Sequence, residues 1–225
     1  MSKQVKKQYP LTYNPIIEYY NQIESGQVIV SSKVRRIYKK LVDDVHDTSS
    51  VFEYDANKAN HVIEFIENFC KHSKGKWGGK SIELELWQKA FLAASFGFVH
   101  KIDGTRKYRE VLLIVARKNG KSTIASGIGL YLQVADGEPG AEIYAVATKL
   151  DQAKLVWLDA KRMVKKSPVL LKRIKPLVRE LNADFNDSTV HGVGRVSERG
   201  VGRLVLGGRG GGAGAGWVEV GLGGG

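Results

Sequence analysis

An apolar run that ends in a basic turn and then in Gly-Lys-Ser-Thr limits what this chain can fold into. In "VLLIVARKNGKST", residues 111–123, the run stops at Ala116, and Gly120 to Thr123 open a stretch of helical spacing through Ile124, Ile128, Tyr131 and Val134. A short continuous β-branched run predicts a strand covered on both faces. "AEIYAVAT", residues 141–148, repeats that pattern after the turn "DGEPG". Strand, loop, helix, loop and strand at this length make a right-handed crossover, so the two strands are expected to be parallel. The next helix, "TKLDQAKLVWLDAKRMVKK", is expected to open on a capping box from Thr148 and Asp151 and to bury Leu155, Leu158 and Met163. Its other face carries Lys154, Lys161, Arg162, Lys165 and Lys166, read as solvated, with DNA or another subunit as the second reading.

The turn has a chemistry. A group dense in negative charge needs backbone N–H donors, a helix N-terminus and a cation at fixed distance. Gly120 lets the main chain approach a phosphate, Lys121 is placed to reach the β- and γ-phosphates, and the Ser122 hydroxyl is suited to Mg²⁺. Lys118, Asn119 and Thr123 complete the candidate ATP-binding loop. The pattern G-x-x-x-x-G-K-[ST] lacks its first glycine, and Val115 stands there. The position of the loop between strand and helix compensates for that loss. Arg117 has two readings of equal weight: a second cation on the γ-phosphate, and a surface arginine.

The residues before the loop read as helical. Apolar positions three to four apart recur in 14–26, in 31–45 behind a serine suited to capping, in 55–72 behind Asp55, and in 84–98. His46, His61, His72 and His100 have no metal-ligand spacing, and the single Cys70 is read as a small buried residue. No apolar run approaches the ~20 residues of a membrane helix. The excess of 35 Lys and Arg over 23 Asp and Glu, a net +12, favours a polyanionic partner. Near Val190 the composition changes: of the 26 glycines, 15 fall in residues 190–225, where no Lys, Asn, Ile, Asp or Tyr occurs. Glycine loses the most backbone entropy on folding, so residues 190–225 are expected to form a disordered tail, or a stretch in a non-native reading frame.

Three ordered segments resemble the large subunit of a tailed-phage terminase: "NPIIEYYNQIESGQVIVSSKVRRIYKKLVDD", "LELWQKAFLAASFGF" and "ARKNGKST", followed by "AVATKLDQAKLVW". The resemblance implies that Gln88 contacts adenine, that a loop without its first glycine is normal, and that an arginine belongs where Arg117 stands. It implies an α/β fold: part of a helicase-like RecA/ASCE-type P-loop core with a parallel sheet behind a helical region. The expected organisation is residues 1–78 helical, 79–189 a partial ATPase core, and 190–225 the tail. It further implies ATP and Mg²⁺ as cofactors, double-stranded DNA as substrate, and the portal, procapsid and terminase small subunit as partners. The setting is the host bacterial cytoplasm, without a membrane, and with oligomerisation on the portal as one expectation.

The family's strand ending in Asp-Glu does not follow Thr189, and its nuclease domain has no counterpart, so a truncated motor with doubtful hydrolysis is expected. Asp184 and Asp187 are read as turn residues rather than metal ligands. A helicase-type ATPase and a non-enzymatic basic nucleic-acid-binding fragment are the two alternatives.

Overall fold

The computed structural model describes residues 6–116, 118–147, 150–194, 203–209 and 217–222. Side-chain surroundings are described for 6–116, 118–145 and 154–192. The chain divides into two compact units, residues 1–64 with 83–108, and residues 65–82 with 109–225. These units meet along the chain at residues 64/65, 82/83 and 108/109. Long-range packing, which periodicity does not reveal, assigns 65–82 to the second unit and 83–108 to the first.

The first unit is mainly helical. Helix α1 (Pro15–Glu24) starts where the Asn14 side chain accepts from the N–H groups of Ile16 and Ile17. Helix α2 (Ser32–His46) is capped by Ser31, whose hydroxyl accepts from the Val34 N–H at 3.3 Å. Helix α3 (Ala56–Phe69) is capped by Asp55 through Asn57 and Lys58, as its sequence position suggests. Helix α4 (Leu86–Gly97) runs into strand β2 (Phe98–His100), which pairs antiparallel with β1 (Phe52–Tyr54). Tyr19, Ile23 and Ala90 form a small core that Val28, Tyr38 and Trp87 pack against. A side chain at Gly97 would lie 2.7 Å from the Tyr54 ring and 2.9 Å from the Ala59 Cβ.

The second unit holds the crossover. Strand β3 (Glu110–Val115) leads to α5 (Lys121–Val134), then to β4 (Glu142–Ala147) and α6 (Leu150–Lys166). A short helix α7 (Pro168–Leu171) and strands β5 (Lys175–Pro176), β6 (Glu180–Ala183) and β7 (Ser188–Gly194) follow. Strands β8 (Arg203–Arg209) and β9 (Trp217–Leu222) complete a sheet of order β3-β9-β8-β4-β7-β6-β5 among the described residues. β3 and β4 point the same way, because β3 runs parallel to β9 while β8 is antiparallel to both β9 and β4. The crossover strands are therefore parallel but not adjacent.

Four expectations are corrected. The sheet is mixed rather than parallel, since β5, β6 and β7 pair antiparallel through tight turns. β3 is not covered on both faces. It is an edge strand whose Leu113 is buried, while Leu112 and Ile114 are 57% and 71% exposed. The tail is not structureless throughout. "RLVLGGR" and "WVEVGL" form β8 and β9 and pair antiparallel, although glycine is costly in a strand. Finally, α6 buries Val156, Trp157, Ala160, Met163 and Val164, leaving Leu155 half-exposed. Thr148 lies outside the described residues, as does the Asp151 side chain. Asp184 and Asp187 do sit in the β6–β7 turn, with Asp187 at φ 55° and Asp184 paired to Lys175.

Helix α5 is held by packing rather than propensity. Its two interior glycines cost about 1 kcal/mol each relative to alanine, while fully burying Ile124 and Ile128 contributes about 1.5–3 kcal/mol each. Gly127 is needed for contact: a Cβ there would meet the Ile66 side chain at 3.1 Å. Cys70 is fully buried, and burial pushes its thiol pKa up to about 12.

Gly97→Ala in α4 is expected to destabilise the chain by about 1–3 kcal/mol, because Tyr54 and Ala59 must move. Urea denaturation measures it, and an unchanged midpoint would show that the α3–α4 approach is looser than described.

Candidate nucleotide-binding site

The site is built where β3 ends and α5 begins. Two left-handed residues shape the turn, Lys118 at φ 68° and Gly120 at φ 73°, with Gly120 as the N-cap of α5. Left-handed residues in a turn are the backbone type from which amide-lined anion concavities are made. The first turn of α5 holds no acidic residue. Among the described residues no side chain caps its leading N–H groups, which stand at the positive end of a 14-residue helix.

Lys121 occupies the turn's interior. It is only 7% exposed, and its Nζ donates to the Val115 carbonyl at 2.6 Å and the Ala116 carbonyl at 3.0 Å. A buried ammonium needs such partners to offset its lost hydration. Asn119, exposed, donates from Nδ2 to the Ala116 carbonyl at 3.2 Å and braces the same corner. Ser122 and Thr123 lie half-buried in the first helical turn. Lys118 to Thr123 therefore share one corner, as the motif requires. Arg117 falls outside the described residues.

Helix α5 is fixed from behind. Ser126 Oγ donates to the Val156 carbonyl of α6 at 2.9 Å, and Gln133 Nε2 donates to the carbonyls of Leu181 and Ser188. The helix terminus that would face a phosphate is therefore anchored along its length. Gln88 belongs to the other unit. It sits in the first turn of α4, where its Oε1 accepts from the Glu85 N–H at 3.0 Å in a capping box. The strand-end carbonyls of Val115 and Ala116 have no signature in the sequence, since main-chain acceptors carry no residue type. The left-handed Lys118 has none either.

The donor set fits a polyphosphate: an uncapped helix N-terminus, a glycine N-cap and a lysine aimed into the turn. Gly120→Ala is expected to cost about 1–2 kcal/mol of stability, because alanine resists the left-handed region. Lys118→Gly, at the other left-handed position, is expected to cost nothing. Equal losses in both, measured by urea denaturation, would contradict this turn geometry.

Comparison with known proteins agrees with the geometry. A family model described as terminase large subunit, ATPase domain, matches residues 86–198, a span that includes Gln88, the loop and α6 and ends beyond residue 190. The chain is 32% identical over 114 residues to the terminase large subunit of Enterobacteria phage HK97, covering 50% of this chain and 21% of that protein. It is also similar to the crystal structure of the HK97 bacteriophage large terminase, with a TM-score of 0.52 and 25% identity, over 64% of this chain and 29% of that one. The chain thus spans less than a third of the length of these relatives. With the family model matching half of its residues, the chain belongs to the terminase large subunits and carries sequence of their ATPase domain.

Proposed function

We propose that the turn from Lys118 to Thr123 binds the triphosphate of ATP, as the nucleotide-holding part of a motor that drives double-stranded DNA into a phage procapsid. The observation that carries this reading is the uncapped start of α5 behind the left-handed Gly120, with Lys121 held inside the turn. A triphosphate is a stronger acceptor than two neutral carbonyls. It would draw the Lys121 ammonium away from Val115 and Ala116 onto the β- and γ-phosphate oxygens. The amides of the first turn of α5 would receive the remaining charge.

Ser122 would hold Mg²⁺, which when bound neutralises charge developing on the transferred phosphoryl group. Arg117 would add a second cation beside the γ-phosphate. Gln88 would read the adenine base, and to do so with both ends of its amide it would have to leave the Glu85 N–H. In the intact motor, portal, procapsid and small subunit would be the partners, and hydrolysis would be coupled to movement of the duplex. Among the described residues no helix is long and apolar enough to cross a membrane.

Lys121→Ala removes one charge-assisted interaction of about 1.5–3 kcal/mol, so binding of a non-hydrolysable ATP analogue should weaken about 10-fold to 100-fold. Calorimetric titration of both proteins, each checked by thermal melting, measures it. Undiminished binding by a folded variant removes the turn from the nucleotide site.

A further inference from the structure

Between α3 and residue 83 the chain makes a braced projection with a tryptophan near its tip. Lys71 and Ser81 pair across its base, the His72 N–H donates to the Lys80 carbonyl at 2.9 Å, and the Gly79 N–H donates back to the His72 carbonyl at 2.9 Å. Residues 75–77 form a single 3-10 turn, closed by the Gly78 N–H on the Gly75 carbonyl. Trp77 stands 51% exposed. The Lys80 ammonium lies 4.7 Å from its ring centre, and that of Lys76 lies 5.3 Å away.

The projection rests on the last turns of α6, within the same unit. Ser73 Oγ donates to Asp159 Oδ1 at 3.1 Å, and Lys166 Nζ donates to the Ser73 carbonyl at 2.8 Å. Lys74 and Arg162 both face Asp159, at 3.7 and 3.2 Å. Lys74 and Arg162 pair with this one carboxylate, Lys166 bonds the Ser73 carbonyl, and Lys76 and Lys80 flank the Trp77 ring. Lys76, Lys80 and Lys166 have no carboxylate within ion-pair distance among the described residues.

This surface is unlike a docking site for a folded protein, whose core is a cluster of apolar side chains. "KGKWGGK" presents one aromatic ring among its lysines, and nothing else apolar. The charges of Lys76, Lys80 and Lys166 are uncompensated, and the first two are held over the Trp77 ring. A cation resting over an indole face has already given up part of its rotamer freedom, so less is lost when it meets a phosphate. Regularly spaced anions with sugar and base surfaces between them complement this pattern.

We propose that the Trp77 projection and the end of α6 form a clamp on the sugar–phosphate backbone of a nucleic-acid duplex. Lys76 and Lys80 contact phosphates, Trp77 holds them in position and packs on the backbone between them, and Lys166 and Arg162 extend the positive surface. The clamp deepens the proposed motor function by assigning a surface to its DNA substrate. It rests on that reading for the choice of duplex, yet it uses none of the residues of the nucleotide loop.

The test is binding of the full chain to a fluorescein-labelled duplex of about 30 base pairs, followed by anisotropy between about 50 and 200 mM salt. The double variant Lys76→Gln/Lys80→Gln should lower the slope of log K against log salt by about 2, one for each phosphate no longer neutralised. Trp77→Ala should weaken binding at every salt concentration while changing the slope by less than about 1. Lys33→Gln, an exposed lysine on α2, is the control and should leave the slope nearer the parent's. An unchanged slope in the double variant, or an equal drop in the Lys33 variant, overturns the clamp. So does a polyglutamate chain that binds as tightly as the duplex through the same lysines, since the partner would then be an acidic protein. ATP-analogue binding by the same variants should equal that of the parent. Abolished duplex binding with retained nucleotide binding refers to the clamp alone, and absent nucleotide binding in the parent refers to the nucleotide loop alone.

Discussion

The Lys121 ammonium resting on the last carbonyls of β3 is the contact on which the rest of the second unit's chemistry depends. A buried cation costs several kcal/mol to desolvate unless its donors are satisfied. The carbonyls of Val115 and Ala116 satisfy it, and they are available because β3 ends there. The contact ties the end of a strand to the start of a helix across a turn that the left-handed backbones of Lys118 and Gly120 make tight enough. Among the described residues no side chain caps the leading amides of α5. Two neutral dipoles are modest partners for an ammonium, and a polyphosphate is a better one. The same bond therefore closes the turn at rest and yields when the ligand arrives.

That exchange has meaning only if the helix behind it stays in place. Ser126 and Gln133 bond α5 to α6, β6 and β7, and Gly127 admits the Ile66 side chain against the helix. Together these hold the axis, so a charge bound at the N-terminus meets a fixed dipole rather than a mobile one. The weak helix formers in "KSTIASGIGLYLQV" are tolerated because Ile124, Ile128 and Leu130 are almost wholly buried. Small residues at 126, 127 and 129 serve close packing at the expense of propensity.

Much of this is legible in the residues. The three- to four-residue spacing, with a capping serine and Asp55, locates α2 and α3, and Gly-Lys-Ser-Thr locates the turn, because local rules govern both. What is not legible depends on which strands meet. Continuous apolarity in 111–115 cannot distinguish a central strand from an edge one, and Leu112 and Ile114 prove exposed. Strands β8 and β9 hide in a glycine-rich stretch where composition argues against order. A three-residue step points Leu155 at the core, while α6 turns the neighbouring Val156 and Trp157 inward. The projection at 73–80 has the composition of a linker because its bracing bonds run from main chain to main chain.

Amide hydrogen exchange across residues 118–124, with and without a non-hydrolysable ATP analogue and Mg²⁺, is the sharpest check on the Lys121 turn. Slowed exchange is expected at the amides of residues 119 to 123, with the far end of α5 unchanged because it is already held. Unaltered exchange at those amides under saturating nucleotide, or protection appearing only elsewhere in the chain, would contradict phosphate binding at this turn.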